Sequence, residues 1–209
     1  MPACSPADSA TIVVLAGGES SRFGTNKALV PWNKRGTILD NVIEKALKAY
    51  PDVALSVKRA GDYPDKHLKK FPDVVRGKGP LGGLYSAFLQ AEADWMMILA
   101  CDMPLIDSSL LRYMLGIRTW APVIIPFCRG RFEPLHAIYH RSLLPIVEYL
   151  IETERLRMRQ LLDLVPKRLV LEDEIEGKSD CLRCFCNINT VSDLEEFIHG
   201  TGLEKNTDS

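Results

Sequence analysis

No run of the 209-residue chain is apolar for the roughly 18 residues that a membrane crossing takes. The opening MPACSPADSA lacks the basic start and apolar block of a secretion signal, so a cytoplasmic location is expected. A charge excess is missing too: 26 basic against 27 acidic residues leave a formal net charge of −1. That balance excludes a general attraction to nucleic acid or to an anionic membrane, and any anion binding has to be local. The cysteines lack the arrangement of a zinc site. Cys181, Cys184 and Cys186 in CLRCFC give one CxxC and a neighbour, with no second pair or suitably spaced histidines close behind. Six cysteines in a reducing compartment read as thiols, not disulfides. Repeats, low-complexity tracts and linkers are also lacking. The chain therefore reads as one domain over residues 1–209, with residues 1–9 and 201–209 as flexible ends.

What is present alternates. ATIVVL is a short buried strand running into glycines, and TILDNVIEKALKAY repeats its apolar residues at helical spacing behind Thr37, a good N-cap. DVALSV predicts a second strand. DVVRGKGPLGG predicts a third that ends in a glycine–proline loop, LYSAFLQAEA a helix, and WMMILA the most hydrophobic strand. Beyond Pro104, SSLLRYMLGI predicts a helix, APVIIPF and PLHAIY strands, and SLLPIVEYLIETE and MRQLLDLV helices. KRLVLEDE and FCNINT read as strands, and SDLEEFIHG as a helix with Ser192 and Glu195 as its capping box. Strand–helix alternation implies βαβ units and a mostly parallel sheet.

The stretch LAGGESSRFGTNKA, residues 15–28, sits at the end of the first strand. It is no Walker loop, because five residues separate Gly18 from Gly24 and Thr25, not lysine, follows Gly24. Nor is it a GxGxxG fingerprint, which Gly17-Gly18-Glu19 breaks. Adjacent glycines let backbone N–H groups approach a polyphosphate, while Arg22 offers a planar fork and Lys27 a mobile charge. A plain surface turn with two cations is the alternative. Asp102 follows WMMILA, at the strand end where α/β sheets bind ligands. A carboxylate there suits Mg²⁺, which shares oxygen donors with substrate phosphates; the alternative is a cap on the turn at Pro104. Cys101 beside it reads as packing, and His136 on its predicted strand as an ordinary satisfied histidine.

LAGGxSxRxGxxK resembles the N-terminal signature of nucleotidyltransferases with a Rossmann-like fold, and its double glycine resembles the molybdenum cofactor guanylyltransferase (MobA) family. Four further segments match that family in order: GPLGGL at 79–84, CDMP at 101–104, RFEPLHAIYHRSLL at 131–144 and FCNINTVSDLEEF at 185–197. The resemblance implies an α/β fold of three layers around a mostly parallel, mixed sheet. It also implies transfer of GMP from GTP to the terminal phosphate of molybdopterin, with Mg²⁺ as cofactor. The nucleotide would then lie against the backbones of Leu15, Ala16, Gly17 and Gly18, with Arg22 and Lys27 on the triphosphate. Gly79, Pro80, Leu81, Gly82 and Gly83 would close over base and ribose, and Asp102 would hold the metal. Asn187 and Asn189 would face the pterin, although turn capping also accounts for them. Transient contacts with other cofactor-biosynthesis proteins or target molybdoenzymes are implied as well.

Two departures stand out. Arg76 and Lys78 occupy a segment where the family carries an acidic residue for the guanine nucleotide, and Val191 replaces a proline. Three alternatives therefore stay open: a molybdopterin cytidylyltransferase, a sugar-phosphate nucleotidylyltransferase, and a nucleotide-sensing domain without turnover. Gly17 weighs against the first two, because related enzymes more often have alanine there.

Overall fold

The computed structural model describes residues 9–17, 27–33, 36–178 and 182–188. Ile12, Val13 and Val14 are fully buried, so β1 (Ala10–Leu15) is covered on both faces, as its unbroken apolar run predicts. A small antiparallel pair, β2 (Pro31–Asn33) and β3 (Gly36–Thr37), leads into α1 (Ile38–Ala49). Thr37 caps α1 as expected: its hydroxyl accepts from the Asp40 N–H at 3.2 Å, and the Asp40 carboxylate accepts from the Thr37 N–H at 2.9 Å.

β4 (Val53–Val57), β5 (Lys69–Pro72), α2 (Gly79–Gln90), β6 (Trp95–Ala100) and α3 (Ser108–Gly116) follow. Then come β7 (Val123–Cys128), β8 (Arg131–Phe132), β9 (His136–His140), α4 (Leu144–Glu152), α5 (Met158–Leu164), β10 (Arg168–Val170) and α6 (Glu172–Glu176).

The main sheet has the order β10-β7-β9-β6-β1-β4-β5, with β8 paired to β7. β6, β1, β4 and β5 are mutually parallel, and β9 runs antiparallel to both β6 and β7. Alternate residues of each strand face opposite sides. Val14, Leu55 and Leu99 pack with α1 and α3, whereas Val13, Ala54 and Ile98 pack with α2, α4 and α5. The result is the expected three-layer α/β architecture. No helix among the described residues is long and apolar enough to cross a membrane.

The structure corrects four local expectations. The third strand forms from KKFP, not from DVV, because Phe71 is the residue that packs inward. GPLGG is not a loop but the first turns of α2, with Pro80 near the helix start, where its missing N–H costs nothing. KRLVLEDE splits into β10 and α6, since Arg168 and Tyr113 draw the Glu174 carboxylate back across the turn. These contacts, the Arg168 bond foremost, hold the Glu174 carboxyl down at about 2. Leu182–Phe185 is a 3-10 turn, and residues 186–188 are irregular, where a strand is expected. The predicted closing helix with Ser192 and Glu195 lies outside the described residues.

Candidate active site

Four parallel strands deliver their carboxyl ends to one edge of the sheet. Leu15 and Gly17 arrive from β1, Ser56, Lys58 and Arg59 from β4, Asp73 from β5, and Ala100, Cys101 and Asp102 from β6. With Arg76, Gly77 and the start of α2 they line a cleft of about 570 Å³. The neighbours of β1 connect to it in opposite directions here, β4 on one side and β6 on the other. Such a switch point opens a crevice in α/β sheets.

Gly83 lets α2 close on this edge: a Cβ there would stand 2.9 Å from the Leu15 Cδ2 methyl and 3.1 Å from the Ser56 hydroxyl. Gly77 and Gly79 take φ of +72° and +57°, which turns the chain from β5 into the helix. No side chain caps the α2 N-terminus, and Gly79 and Pro80 at its start line the cleft.

The cleft carries both signs of charge. Lys58, Arg59 and Arg76 are its described cations, and Asp73 and Asp102 its carboxylates. Burial pushes the Asp73 carboxyl up, and the Lys58 cation opposes that shift. The Asp102 carbonyl accepts the Ile188 N–H at 2.9 Å, so residues 182–188 return to brace its turn. Ile188 itself is buried with Trp32 and Ile38, against Val30 and Leu105.

Of the residues singled out in the sequence, Leu15, Gly17, Gly79, Pro80, Gly83 and Asp102 come together at the cleft. Ala16 is buried beside them, its N–H donating to the Ser56 carbonyl and its carbonyl accepting from the Tyr63 hydroxyl, both at 2.9 Å. Leu81 points into the core of the α2 layer, and Gly82 is buried against Lys78 and Val75. Lys27 opens a 3-10 turn, Lys27–Leu29, and Asn187 is exposed. Gly18, Arg22 and Asn189 lie outside the described residues.

None of the four described cysteines, Cys101, Cys128, Cys184 and Cys186, forms a disulfide, and Cys181 is not described. His136 departs from expectation. It is fully buried, and neither ring nitrogen meets a hydrogen-bond partner among the described residues.

Asp73, Lys58, Arg59 and Ser56 are cleft residues that the motifs do not reveal. Their signal is positional: each lies within or just past the end of a parallel strand, and for Asp73 the strand itself is misplaced in the sequence reading. Asp73 also bears on the apparent departure at Arg76 and Lys78. An acidic side chain does precede GPLGG, at the end of β5 and facing the cleft.

The donor set fits a divalent cation that arrives with phosphates. Asp102 presents one hard carboxylate to the cleft, and no group of three His, Cys, Asp or Glu side chains among the described residues could hold a metal alone. A cation such as Mg²⁺ suits this arrangement because it takes one or two carboxylates and completes its shell with water and substrate oxygens.

The MobA-like NTP transferase domain matches residues 12–169. A protein of Flavobacterium johnsoniae, named as a probable molybdenum cofactor guanylyltransferase, is 32% identical over 187 residues, covering 89% of this chain and 95% of its own length. Molybdopterin-guanine dinucleotide biosynthesis protein A of Archaeoglobus fulgidus has a similar crystal structure, with a TM-score of 0.80 at 20% identity. That match covers 93% of this chain and all of the other, 100%. The fold also resembles a manganese complex of Rv0371c from Mycobacterium tuberculosis H37Rv, at a TM-score of 0.59 and 15% identity over 84% of this chain and 100% of that one.

Proposed function

The chain belongs to the MobA-like NTP transferase family, and from that premise we propose that it moves GMP from GTP onto the terminal phosphate of molybdopterin, releasing pyrophosphate. Nucleotidyl transfer is the family's chemistry; the guanine base, the pterin acceptor and Mg²⁺ are the proposed particulars. Residues 1–209 act in this as one domain.

The observation that carries the reading is the pair of carboxylates, Asp73 and Asp102, that face one cleft from either side of the β1 glycine. Asp73 supplies acceptors for the N–H groups on the guanine edge, which cytosine cannot match in the same pattern. Asp102 would hold Mg²⁺, which when bound neutralises phosphate charge. The acceptor needs no general base, because a phosphate monoester loses its second proton near ~6 and is an anion at neutral pH. What remains is alignment and charge compensation. Gly17 N–H, Arg22 and Lys27 hold the triphosphate, and Lys58, Arg59 and Arg76 add positive charge along the rim. Asn187 and Asn189 orient the pterin.

Gly17 carries less of the base preference than its sequence context suggests. A Cβ there would stand 3.4 Å from the Lys58 backbone N, 3.5 Å from the Val57 carbonyl carbon and 3.6 Å from the Lys58 Cγ, all ordinary contacts, so alanine fits among the described residues. Guanine selection therefore rests on Asp73.

The test is pyrophosphate release from each of four nucleoside triphosphates with Mg²⁺ and molybdopterin. GTP is expected to support release, and Asp102→Ala to lose at least about a hundredfold in turnover. Asp73→Asn is expected to raise the KM for GTP selectively. Release with CTP alone would sink the guanylyl assignment, and binding without release would point to a sensor.

A further inference from the structure

Tyr63 lies outside the cleft lining, yet it touches the nucleotide loop at one atom: its hydroxyl donates to the Ala16 carbonyl at 2.9 Å. Its backbone takes φ of +52°, a left-handed conformation uncommon for a bulky residue, and its ring is buried in the core that α1 covers. The surrounding turn is tied down on every side. Arg59 N–H donates to the Asp62 carboxylate at 3.0 Å, Lys66 N–H to the Tyr63 carbonyl at 3.0 Å, and the Lys66 ammonium pairs with Asp40 of α1 at 2.7 Å. Unusual backbone held this firmly is a feature of ligand clamps.

The target of that hydroxyl matters because a trans peptide is planar, with its C=O and the following N–H pointing in opposite directions. None of the described peptide bonds is cis. Fixing the Ala16 carbonyl towards Tyr63, on the α1 side, therefore aims the Gly17 N–H the other way. The N–H then points away from the Tyr63 layer, and Gly17 itself lines the cleft. The preceding Leu15–Ala16 peptide is held too, its N–H donating to the Ser56 carbonyl at 2.9 Å, which leaves the Tyr63 hydroxyl as the described contact that sets the Ala16–Gly17 plane. No acceptor among the described residues takes the Gly17 N–H.

From this we infer that Tyr63 is a positioning residue, whose hydroxyl sets the Ala16–Gly17 peptide so that its N–H is presented to a phosphate or ribose oxygen of the bound nucleotide. The inference rests on the cleft being the nucleotide site. Without the hydroxyl the peptide can turn over, and its carbonyl then faces an anionic ligand.

The experiment compares wild type with Tyr63→Phe, in ¹⁵N-glycine-labelled protein titrated with GTP and, in parallel, with CTP, both with Mg²⁺. The variant is expected to fold, to bind the preferred nucleotide about tenfold more weakly, and to lose the ligand-induced shift of the Gly17 amide. In turnover its KM for nucleotide rises while kcat stays within about twofold, a split that general loosening does not give. A variant with wild-type affinity and an unchanged Gly17 shift overturns the inference. A wild type that binds CTP and not GTP overturns the guanylyl reading instead, and the Tyr63 comparison then stands on the CTP arm. Binding of neither overturns both.

Discussion

His136 enters β9 with its imidazole fully buried, its ring centroid 5.0 Å from that of Phe185 in a T-shaped contact. Burial holds its pKa down to about 4, against a weak opposing pull from Asp107. Native protein thus keeps a neutral ring where an unfolded chain would titrate near 6.5. The folded pKa is the lower one, so stability is intact above pH 6.5 and is lost as pH falls from 6.5 through about 4. The loss amounts to roughly 3 kcal/mol. Urea unfolding followed from pH 7.5 to 4 is expected to show this slope, and His136→Leu to flatten it. An equal slope in both proteins would rule out His136 as its source. The strand pattern places His136 correctly, but whether a buried ring finds a partner depends on what crosses over it, here residues 182–188. Asp102 is legible because a long apolar run leads straight to it. Asp73 is not, because only Phe71 in KKFP carries the burial signal of its strand.

At the scale of elements, α2 is the part of the site that the sequence describes least well. GPLGG reads as a loop by its glycines and proline, yet those glycines allow a helix to lie against β1 and β4 at a distance that side chains forbid. Gly83→Ala tests this. Helix propensity favours alanine by about 1 kcal/mol, which offsets much of the overpacking cost, so the unfolding midpoint is expected to move little. The new methyl is nevertheless 2.9 Å from Leu15 Cδ2, and the side chain that must yield lines the cleft. Nucleotide affinity is expected to fall severalfold with stability nearly unchanged, as measured by calorimetric titration beside thermal melting. A parallel fall in both would mean that the helix itself has been displaced.

For the whole molecule, the alternation of strands and helices makes most of the layered sheet legible, because burial on both faces leaves long apolar runs in β1 and β6. Pairings that close across the sequence are not legible. Ile188 is the example: its side chain fills a small core with Trp32 and Ile38, and its N–H holds the Asp102 carbonyl. Ile188→Ala is expected to cost about 2–4 kcal/mol and to lower turnover, with Trp32 fluorescence changing before global unfolding in a denaturant series. Coincident transitions would show that the bracing is not local.

That contact also orders events in time. Translation delivers the β1 glycine, the turn around Tyr63 and Asp102 long before it delivers Ile188. A chain still emerging from the ribosome can therefore complete β1, β4, β5 and β6 while the turn that carries Asp102 is unbraced. On this ordering, the reaction edge is finished by a segment synthesised well after the strands that form it.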